Sequence, residues 1–415
     1  MITEPGSYTF NITATPGVTV DPSSWTVGGA STLLVPQDYT TIQAAVNAAS
    51  PGDTIVVAAG TYNENQIRIS KALKIYGSGA DSTIINGGDA VLSEAGLVRI
   101  TANGGNVVFS GFTVRNAGGP FKGALKIRVG IYVESNATGP SYTISNNKIY
   151  GTNNTNEAED YGFYAQSGKE NIVFRNNLVT QTGANNIVLE LHTGSTEISY
   201  NTLDAGVYGL SDSIFFMTYG GVNVTTLQNV SYNIFDMGTG VGPFDYNHRA
   251  TGVSFCSVYP VLGSGPEAKF TNMVISGNTF NNLKSHRRGI GFWNAGSGDN
   301  LVSPLITGNT IEGVAGSTGS YGIDFYGLTT NATITRNTIR NTATAIALRS
   351  GSAPGTQINY NNIANNTIGI DWTLGTTAVD AHFNWWGNET GPTHATNPDG
   401  NGDTATDNVL FEPWL

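Results

Sequence analysis

The sequence has little charge and a single cysteine. Only 12% of its 415 residues are Asp, Glu, Lys or Arg, and the 30 acids outnumber the 19 bases. The net charge of −11 argues against a nucleic-acid partner, because neutralising phosphates requires a broad basic surface. Cys256 has no second cysteine to pair with, which excludes a disulfide within the chain.

The sequence also lacks a long hydrophobic run and shows no signal-peptide pattern at Met1. Without an apolar stretch long enough to cross a bilayer, we expect no membrane insertion. The residues from Tyr8 to Ala14 alternate like the last strand of a β-sandwich. We therefore expect residues 1–30 to be a strand and linker remaining from a preceding sandwich-like module. Residues 31–415 would then be one domain of a longer protein with other domains.

Glycine and a repeated asparagine phrase are abundant. There are 53 glycines, and 39% of the residues are hydrophobic, which suits many thin coils better than one round core. An apolar residue, two spacers, an asparagine, one spacer and a second apolar residue recur every 24 to 45 residues. The asparagines are Asn147, Asn177, Asn201, Asn233, Asn278, Asn309, Asn337 and Asn361. This period is typical of one turn of a solenoid.

The coils are predicted to be built from strands. Apolar positions fall two apart, and a second alternating run precedes each phrase, as in Gly130–Glu134 and Gly322–Tyr326. Two or three short strands per coil, joined by Gly and Asn turns, predict a parallel β-helix. Stacked coils would place the asparagines in a ladder of amide hydrogen bonds, so we interpret them as structural.

Both ends of the chain resemble the pectin-lyase-like right-handed β-helix proteins, which are secreted or surface repeat proteins, some of them carbohydrate-active. The segments that carry the resemblance are Val35–Val46, Gly52–Val57, Gly60–Glu64, Asn384–Gly387, Gly391–Pro392 and Glu412–Trp414. The resemblance implies an all-β, single-stranded right-handed parallel β-helix with an N-terminal capping helix. It also implies an extracellular or cell-surface location.

The sequence itself supports both closures. Thr40 and Gln43 form a capping box at the start of an apolar stripe, and Gly52 can end the helix, which predicts a cap over residues 40–50. A tryptophan-rich segment, 380–415, would close the other end.

One face of the predicted strands mixes acids with aromatic residues. If Ile131 and Val133 face the core, Tyr132 and Glu134 face outward. The same phase projects Tyr164, Gln166, Val188, Glu190, His192, Trp293, Asp324, Tyr326, Arg349 and Asp371. Rings beside acids predict a groove that binds a polysaccharide, although tyrosines also favour exposed strands for structural reasons.

Cationic clusters suggest lyase chemistry in this groove. They are Lys126 with Arg128, His248 with Arg249, and Lys284 with His286, Arg287 and Arg288. Such cations could neutralise a uronate carboxylate, with His192, His248 or Tyr164 as acid or base and Arg249 or Arg288 holding the carboxylate. The alternative is that the arginines form structural ion pairs, for example with Asp245.

The carboxylates suggest hydrolase chemistry instead. Asp324 and Asp371 share a phase two coils apart, roughly 10 Å by strand spacing, which is near the inverting range. Glu190 or Asp212 could pair similarly. Our catalytic candidates are Glu190, His192, Asp324, Arg349 and Asp371. Our substrate-binding candidates are Tyr132, Glu134, Tyr164, Arg128, His248, Arg249, Arg288, Trp293 and Tyr326.

Metal signals are weak. Asp399, Asn401 and Asp403 have the alternate spacing of a calcium loop, but Thr404 and Leu410 replace its glycine and bidentate glutamate. A second acidic group comprises Glu157, Glu159 and Asp160. We expect no required cofactor, with Ca²⁺ as the one cation these patterns admit.

Two functions remain open. The first is an extracellular, polysaccharide-cleaving enzyme, either lyase or glycoside hydrolase, which the irregular coil lengths favour because solenoids insert loops at binding faces. The second is a non-catalytic β-helix module of the cell surface or envelope for glycan binding or adhesion, which the lack of a complete catalytic signature favours. In either case we expect a monomer.

Overall fold

The structure is a computed structural model. It describes residues 29–102, 105–122, 125–134, 138–150, 158–182, 185–204, 212–218, 221–237, 251–257, 269–294, 299–349 and 353–415. The strand predicted at Tyr8 to Ala14 lies outside the described residues.

The described chain is almost entirely short strands. In chain order they are β1 (Thr32–Val35), β2 (Thr54–Val57), β3 (Gly60–Asn63), β4 (Ile67–Ile69), β5 (Lys74–Gly77), β6 (Thr83–Asn86), β7 (Val98–Ile100), β8 (Val107–Ser110), β9 (Thr113–Arg115), β10 (Phe121–Lys122), β11 (Leu125–Glu134), β12 (Ser141–Ser145), β13 (Lys148–Tyr150), β14 (Ala158–Gln166), β15 (Asn171–Arg175), β16 (Leu178–Thr180), β17 (Ile187–Glu190), β18 (Thr196–Ser199), β19 (Thr202–Asp204), β20 (Ile214–Thr218), β21 (Gln228–Ser231), β22 (Ile234–Asp236), β23 (Thr251–Ser257), β24 (Phe270–Thr271), β25 (Met273–Ser276), β26 (Thr279–Leu283), β27 (Arg288–Asn294), β28 (Asp299–Val302), β29 (Leu305–Thr307), β30 (Thr310–Gly313), β31 (Tyr321–Tyr326), β32 (Leu328–Thr330), β33 (Thr333–Thr335), β34 (Thr338–Arg340), β35 (Thr344–Leu348), β36 (Gln357–Asn359), β37 (Asn362–Ala364), β38 (Ile368–Asp371), β39 (Val379–Asp380), β40 (Thr404–Ala405) and β41 (Val409–Leu410).

Three long parallel sheets run the length of the molecule. Sheet A has 14 strands in the order β1-β2-β5-β8-β12-β15-β18-β21-β25-β29-β33-β36-β39-β41. Sheet B has 11, in the order β3-β6-β9-β13-β16-β19-β22-β26-β30-β34-β37. Sheet C runs β4-β7-β11-β14-β17-β20-β23-β27-β31-β35-β38-β40, with β10 antiparallel to β11. A fourth, small sheet joins β24, β28 and β32.

Most coils therefore contribute one strand to each long sheet. Crossovers between parallel strands of one sheet are right-handed in nearly all proteins. The predicted right-handed parallel β-helix is confirmed. Inside it, apolar side chains stack in register from coil to coil, because the two-residue period turns every second side chain inward. In sheet C one inward column is Ile131, Phe163, Ile187, Ile214, Val253, Ile290, Ile323, Ile346 and Ile370. All of these side chains are buried.

The asparagine ladder is confirmed at the corner between sheets A and B. Each amide donates to the side-chain oxygen of the next, as from Asn201 Nδ2 to Asn233 Oδ1 at 2.9 Å. The ladder begins at Asn147 and continues past Asn361 to Asn384, with amide distances of 2.9 to 3.2 Å. Each side chain also accepts from a backbone N–H, as Asn233 does from that of Asn201 at 2.9 Å. The asparagines thus satisfy turn groups that no strand pairing reaches.

A short helix, α1 (Ile42–Ala48), lies near the first coil. Its N-cap is Thr41, whose side chain accepts from Ala44 N–H, so the prediction of Thr40 was one residue early. The Glu64 carboxylate, from the end of another coil, accepts from the N–H groups of Ile42 and Gln43 at 2.7 and 2.9 Å. Whether α1 closes the β-helix stays a prediction.

The last part of the chain buries Trp386 completely and sets Trp414 against the core. Gly391 leaves room for this packing, since an added Cβ would lie 2.6 Å from the Trp414 ring. In the described part of the chain, no helix combines the length and hydrophobicity that crossing a membrane requires.

Candidate functional site

The outward face of sheet C gathers most of the predicted site residues into two columns. The first is Tyr132, Tyr164, Val188, Phe215, Ser254, Gly291, Asp324, Ala347 and Asp371. The second is Glu134, Gln166, Glu190, Met217, Cys256, Trp293 and Tyr326. Within the columns, polar contacts form two separate groups.

The first group, the tyrosine cluster, consists of Arg99, Tyr132, Tyr164, Gln166 and Glu190. The rings of Tyr132 and Tyr164 stack at 5.5 Å, and the Arg99 guanidinium lies 4.6 Å from the Tyr132 ring centre. Tyr132 Oη donates to Gln166 Oε1 at 2.6 Å. The Tyr164 hydroxyl donates to Glu190 Oε2, which also accepts from Gln166 Nε2 at 3.3 Å. The cluster joins four strands, β7, β11, β14 and β17, through side chains alone.

Charge and burial set the chemistry of this cluster. Burial, aided by the negative charge of Glu134, raises the pKa of Tyr132 to about 12. Tyr132 is therefore a neutral hydrogen-bonding group at physiological pH. Arg99 is buried and pairs with Glu134, whose side chain is half exposed. Glu190 is 8% exposed, so its carboxylate lies at the base of the face.

The second group, the arginine cluster, consists of Arg288, Tyr321, Asp324 and Arg349. Asp324 forms ion pairs with Arg288 and with Arg349, the latter at 2.7 Å between Nε and Oδ1. The Arg349 guanidinium also lies 4.2 Å from the centre of the Tyr321 ring. The Asp324 side chain has no exposed surface, which leaves a substrate no direct access to this carboxylate.

Asp212 lies between the two groups, just before β20. Its Oδ1 accepts from Thr251 N–H at 2.9 Å. Burial raises the pKa of Asp212 to about 6, against the opposing effect of hydrogen bonds from Thr251 and Ser254. Burial and the nearby Asp212 also raise the pKa of the Cys256 thiol to about 12, so this thiol is not a nucleophile.

His192 is not in the groove. Its side chain is fully buried with that of Glu170, and its Nε2 donates to the Glu170 carbonyl at 3.1 Å. Burial lowers the pKa of His192 to about 4 and raises that of Glu170 to about 7. The prediction of His192 on the outward face was wrong, because the chain turns after Glu190 and carries the imidazole inward.

Arg128 is also engaged in ion pairs with carboxylates of the protein. Its Nε lies 2.7 Å from Asp89 Oδ1 and its Nη1 lies 3.3 Å from Asp160 Oδ1, and the arginine side chain is buried. Arg287 is buried as well. Of the described arginines in the predicted cationic clusters, Arg128 and Arg288 form the ion pairs that the structural alternative expects. The catalytic candidate Arg349 is paired with Asp324 as well.

The remaining candidates are scattered. Tyr326 is largely exposed, and Asp371 accepts from Thr373 N–H at 3.1 Å. Lys284 and His286 lie in the turn before β27. His248, Arg249 and Asp245 lie outside the described residues, as do the side chains of Trp293, Lys126 and Glu159 and all of Glu157.

The three residues of the calcium pattern have different surroundings. Asp403 is buried, and its Oδ2 accepts from Asn366 N–H at 3.0 Å and from Asn366 Nδ2 at 2.7 Å. Asp399 and Asn401 are near the surface, where Asn401 Nδ2 donates to the Asp399 carbonyl at 2.9 Å. No group of three His, Cys, Asp or Glu in the described residues is arranged to hold a metal ion. A calcium site stays a prediction.

Sequence reasoning missed Arg99 and Glu170. Arg99 lies in register with Tyr132, but its coil comes before the first asparagine phrase, so the repeat did not mark it. Glu170 lies in a turn between strands, where the alternation of side chains gives no direction.

Solved structures with a similar fold differ in what they do. The A-module of mannuronan C-5 epimerase AlgE4 from Azotobacter vinelandii is 18% identical, with a TM-score of 0.49 over 83% of this chain and 90% of that one. PfbA, a surface adhesin of Streptococcus pneumoniae, is 12% identical, with a TM-score of 0.46 over 81% and 86%. The tailspike of E. coli bacteriophage HK620 is 14% identical, with a TM-score of 0.44 over 81% of this chain and 63% of the tailspike.

No protein-family model and no curated protein sequence matches the chain. At identities this low the likeness to solved structures is one of fold, and function has to be argued from the site.

Proposed function

We propose that the protein is a polysaccharide-cleaving enzyme that works outside the cell or at its surface, with the glycan bound along the outward face of sheet C. The observation that carries this proposal is the contact from Tyr164 to Glu190 beside two stacked tyrosine rings. Aromatic rings beside hydrogen-bonding groups suit a sugar, which has apolar ring faces and polar hydroxyls.

Hydrolysis fits the charges of this face better than elimination. A lyase needs a cation that is available to neutralise a uronate carboxylate. Among the described residues, Arg99, Arg128, Arg288 and Arg349 each pair with a carboxylate of the protein itself. Glu190, by contrast, accepts hydrogen bonds from the neutral groups of Tyr164 and Gln166.

Glycoside hydrolysis needs two carboxyl groups. Glu134 and Glu190 stand in one column with Gln166 between them, which separates them by two strand spacings, or roughly 10 Å. This is near the range of inverting enzymes, in which a water molecule fits between base and sugar. Glu190 would protonate the leaving oxygen, and the water-exposed Glu134 would take a proton from the attacking water.

One observation favours the second function, a non-catalytic glycan-binding module. The acids of this face are already engaged by the protein: Glu134 by Arg99, Asp324 by Arg288 and Arg349, and Asp371 by Thr373. Networks satisfied in this way rigidify a surface without performing chemistry.

The test uses the full chain with a panel of neutral and uronate polysaccharides, in calcium or in chelator. New reducing ends and ultraviolet-absorbing unsaturated ends are measured in parallel. We expect reducing ends without unsaturation, and a loss of at least about a hundredfold in rate for Glu190→Gln, which removes the acid while keeping its shape. Glu197→Gln, on the outward face of sheet A, is the matched control.

The other outcomes are equally clear. Unsaturated ends would show that the enzyme is a lyase and not a hydrolase. Full activity in Glu190→Gln would show that this residue takes no part in the reaction. No product in either measurement, together with retained binding of one glycan, would establish the non-catalytic module.

A further inference from the structure

The corner between sheets A and B has a left-handed backbone residue in nine successive coils. The φ of these residues lies between 54° and 65°, and they are Asn146, Asn176, Tyr200, Tyr232, Gly277, Gly308, Arg336, Tyr360 and Phe383. The N–H of this residue donates to the next coil, as from Tyr200 to the Ser231 carbonyl at 3.2 Å and from Tyr360 to the Phe383 carbonyl at 3.1 Å. Stacking of the coils therefore dictates this conformation, whichever residue occupies it.

Four of these corner residues are aromatic. Glycine and asparagine adopt positive φ at little cost, whereas large side chains with a Cβ disfavour it. We call Tyr200, Tyr232, Tyr360 and Phe383 the corner aromatic strip. Their exposed fractions are 59, 56, 53 and 38%. Neither backbone preference nor burial in the core accounts for aromatic residues here, and strained positions of this kind gather at functional sites.

The strip consists of two ring pairs. Tyr200 and Tyr232 stack at 5.2 Å with their planes 11° apart, and Tyr360 and Phe383 stack at 5.3 Å and 7°. Because each pair is held by adjacent coils, its rings are placed without much freedom, which limits the entropy lost on binding.

A stretch without aromatic rings separates the pairs. It contains Gly277, Gly308 and the exposed Arg336, and the distance from Tyr232 to Tyr360 is four coils, or roughly 19 Å. A Cβ added to Gly277 would lie 2.6 Å from the Tyr232 ring, so this ring leans over the glycine. A Cβ added to Gly308 would meet only one atom within 4 Å, so space is open beyond it.

We propose that the corner aromatic strip is a second glycan-binding surface, which holds a neutral polysaccharide chain along the axis of the β-helix. Half-exposed rings, three of the four with a hydroxyl tip, suit sugars, and the open space at Gly308 between the pairs leaves room for the chain. A protein partner fits less well. Four partly exposed aromatic side chains offer only a few hundred Å², well below the roughly 800 Å² per partner that a stable protein interface buries.

This surface is separate from the face of sheet C, and it does not depend on catalysis by Glu190. It would keep the protein on an extended substrate while the first site acts, so its effect is on the binding of long chains and not on the cleavage of short ones.

The test is the double variant Tyr232→Asn/Tyr360→Asn in the full chain. Asparagine already occupies this position at Asn146 and Asn176, so we expect the thermal midpoint to be unchanged or raised. Tyr76→Asn, which changes an exposed tyrosine of sheet A away from the strip, is the control. Binding is measured by sedimentation with insoluble cellulose, chitin and xylan, and by affinity electrophoresis in soluble glucans.

We expect the dissociation constant for at least one of these polysaccharides to rise at least tenfold in the double variant and to stay within twofold in the control. The rate at which a short soluble oligosaccharide is cleaved should be the same in the double variant and in wild type. Equal binding by wild type and double variant, or no binding by the wild type, would overturn the proposal. A change from dimer to monomer in analytical ultracentrifugation, with glycan binding unchanged, would overturn it in favour of self-association.

The two proposals are tested by different variants, so either can be rejected without the other. Glu190→Gln tests cleavage and leaves the strip intact, whereas the double variant tests the strip and leaves Glu190 intact. Loss of polysaccharide binding in the double variant, alongside full activity in Glu190→Gln, would keep the strip and reject the proposed catalytic residue.

Discussion

Arg288 and Asp324 form an ion pair across the neighbouring strands β27 and β31, and both side chains are buried. Arg349 approaches the same carboxylate from the next coil. A carboxylate enclosed by two guanidinium groups is a structural element of the face, which is why Glu190 and not Asp324 is the acid of the proposed reaction.

The first prediction concerns this cluster. Asp324→Ala leaves two arginines without their counter-charge, and we expect it to lower the free energy of unfolding by about 3–5 kcal/mol. Urea unfolding monitored by fluorescence measures the change. Asp371→Ala removes a more exposed carboxylate from the same column and should change the free energy by less than about 1 kcal/mol. Similar losses in both variants would contradict the special role of Asp324.

The second prediction concerns the asparagine ladder. Asn233 accepts from Asn201 N–H and Nδ2 and donates to the Ile198 carbonyl and to Asn278 Oδ1, at 2.8 to 3.0 Å. Asn233→Ala would leave these buried groups without partners, and we expect a loss of about 2–4 kcal/mol in urea unfolding.

Asn229→Ala is the control for the ladder. This asparagine lies in β21 of the same coil but faces away from the core, and we expect its loss to stay within about 1 kcal/mol. A stability unchanged by Asn233→Ala would mean that water replaces the amide.

The third prediction is a pH dependence with two opposing parts. Glu170 has its pKa raised from 4.5 to about 7, so its contribution to stability is present at low pH and lost as the pH rises through this interval. His192 has its pKa lowered from 6.5 to about 4, so its contribution is present at high pH and lost as the pH falls through this interval. Between pH 4.5 and 6.5 the two contributions oppose each other.

Removing one of the two groups should leave the pH dependence of the other as the main change in stability over this interval. Glu170→Gln keeps only the pH dependence of His192, so this variant should lose stability as the pH falls from 6.5 towards 4, by up to about 1.4 kcal/mol per pH unit. His192→Gln should lose it as the pH rises from 4.5 towards 7. Urea unfolding at half-unit pH steps measures both slopes. Parallel pH profiles for the two variants and wild type would show that neither group titrates in this interval.

The fourth prediction concerns Cys256, the one cysteine of the sequence. With its pKa raised to about 12, the thiol holds little thiolate at pH 8, and the folded protein should react with iodoacetamide roughly a thousandfold more slowly than the protein in urea. Mass spectrometry of the alkylated protein gives both rates. Comparable rates in the two states would contradict the raised pKa of this thiol.

Much of the fold could be predicted because its signals are local. The two-residue alternation placed Ile131 and Val133 inward, and both are buried. The asparagine phrase located the corner of each coil from Asn147 onward, since only side chains that repeat at the same position of successive coils can form a ladder. The first coils carry no such phrase, and Arg99 was missed there for that reason.

The site was less predictable because its contacts join residues far apart in sequence. Arg288 reaches Asp324 across 36 positions, and Tyr164 reaches Glu190 across 26. Coil lengths vary, so no fixed spacing identifies such partners. His192 shows the same limit, since alternation gives the direction of a side chain in a strand but not in the turn that follows.

The sequence by itself determined that this protein is a stack of parallel coils, which side of each strand faces the core, and where the asparagines align. These follow from periodicity, which every coil repeats. Only the tertiary structure decided which outward charges stay open to a ligand and which neutralise one another. That depends on the neighbours each coil receives from the next, and those neighbours are set by stacking and not by distance along the chain.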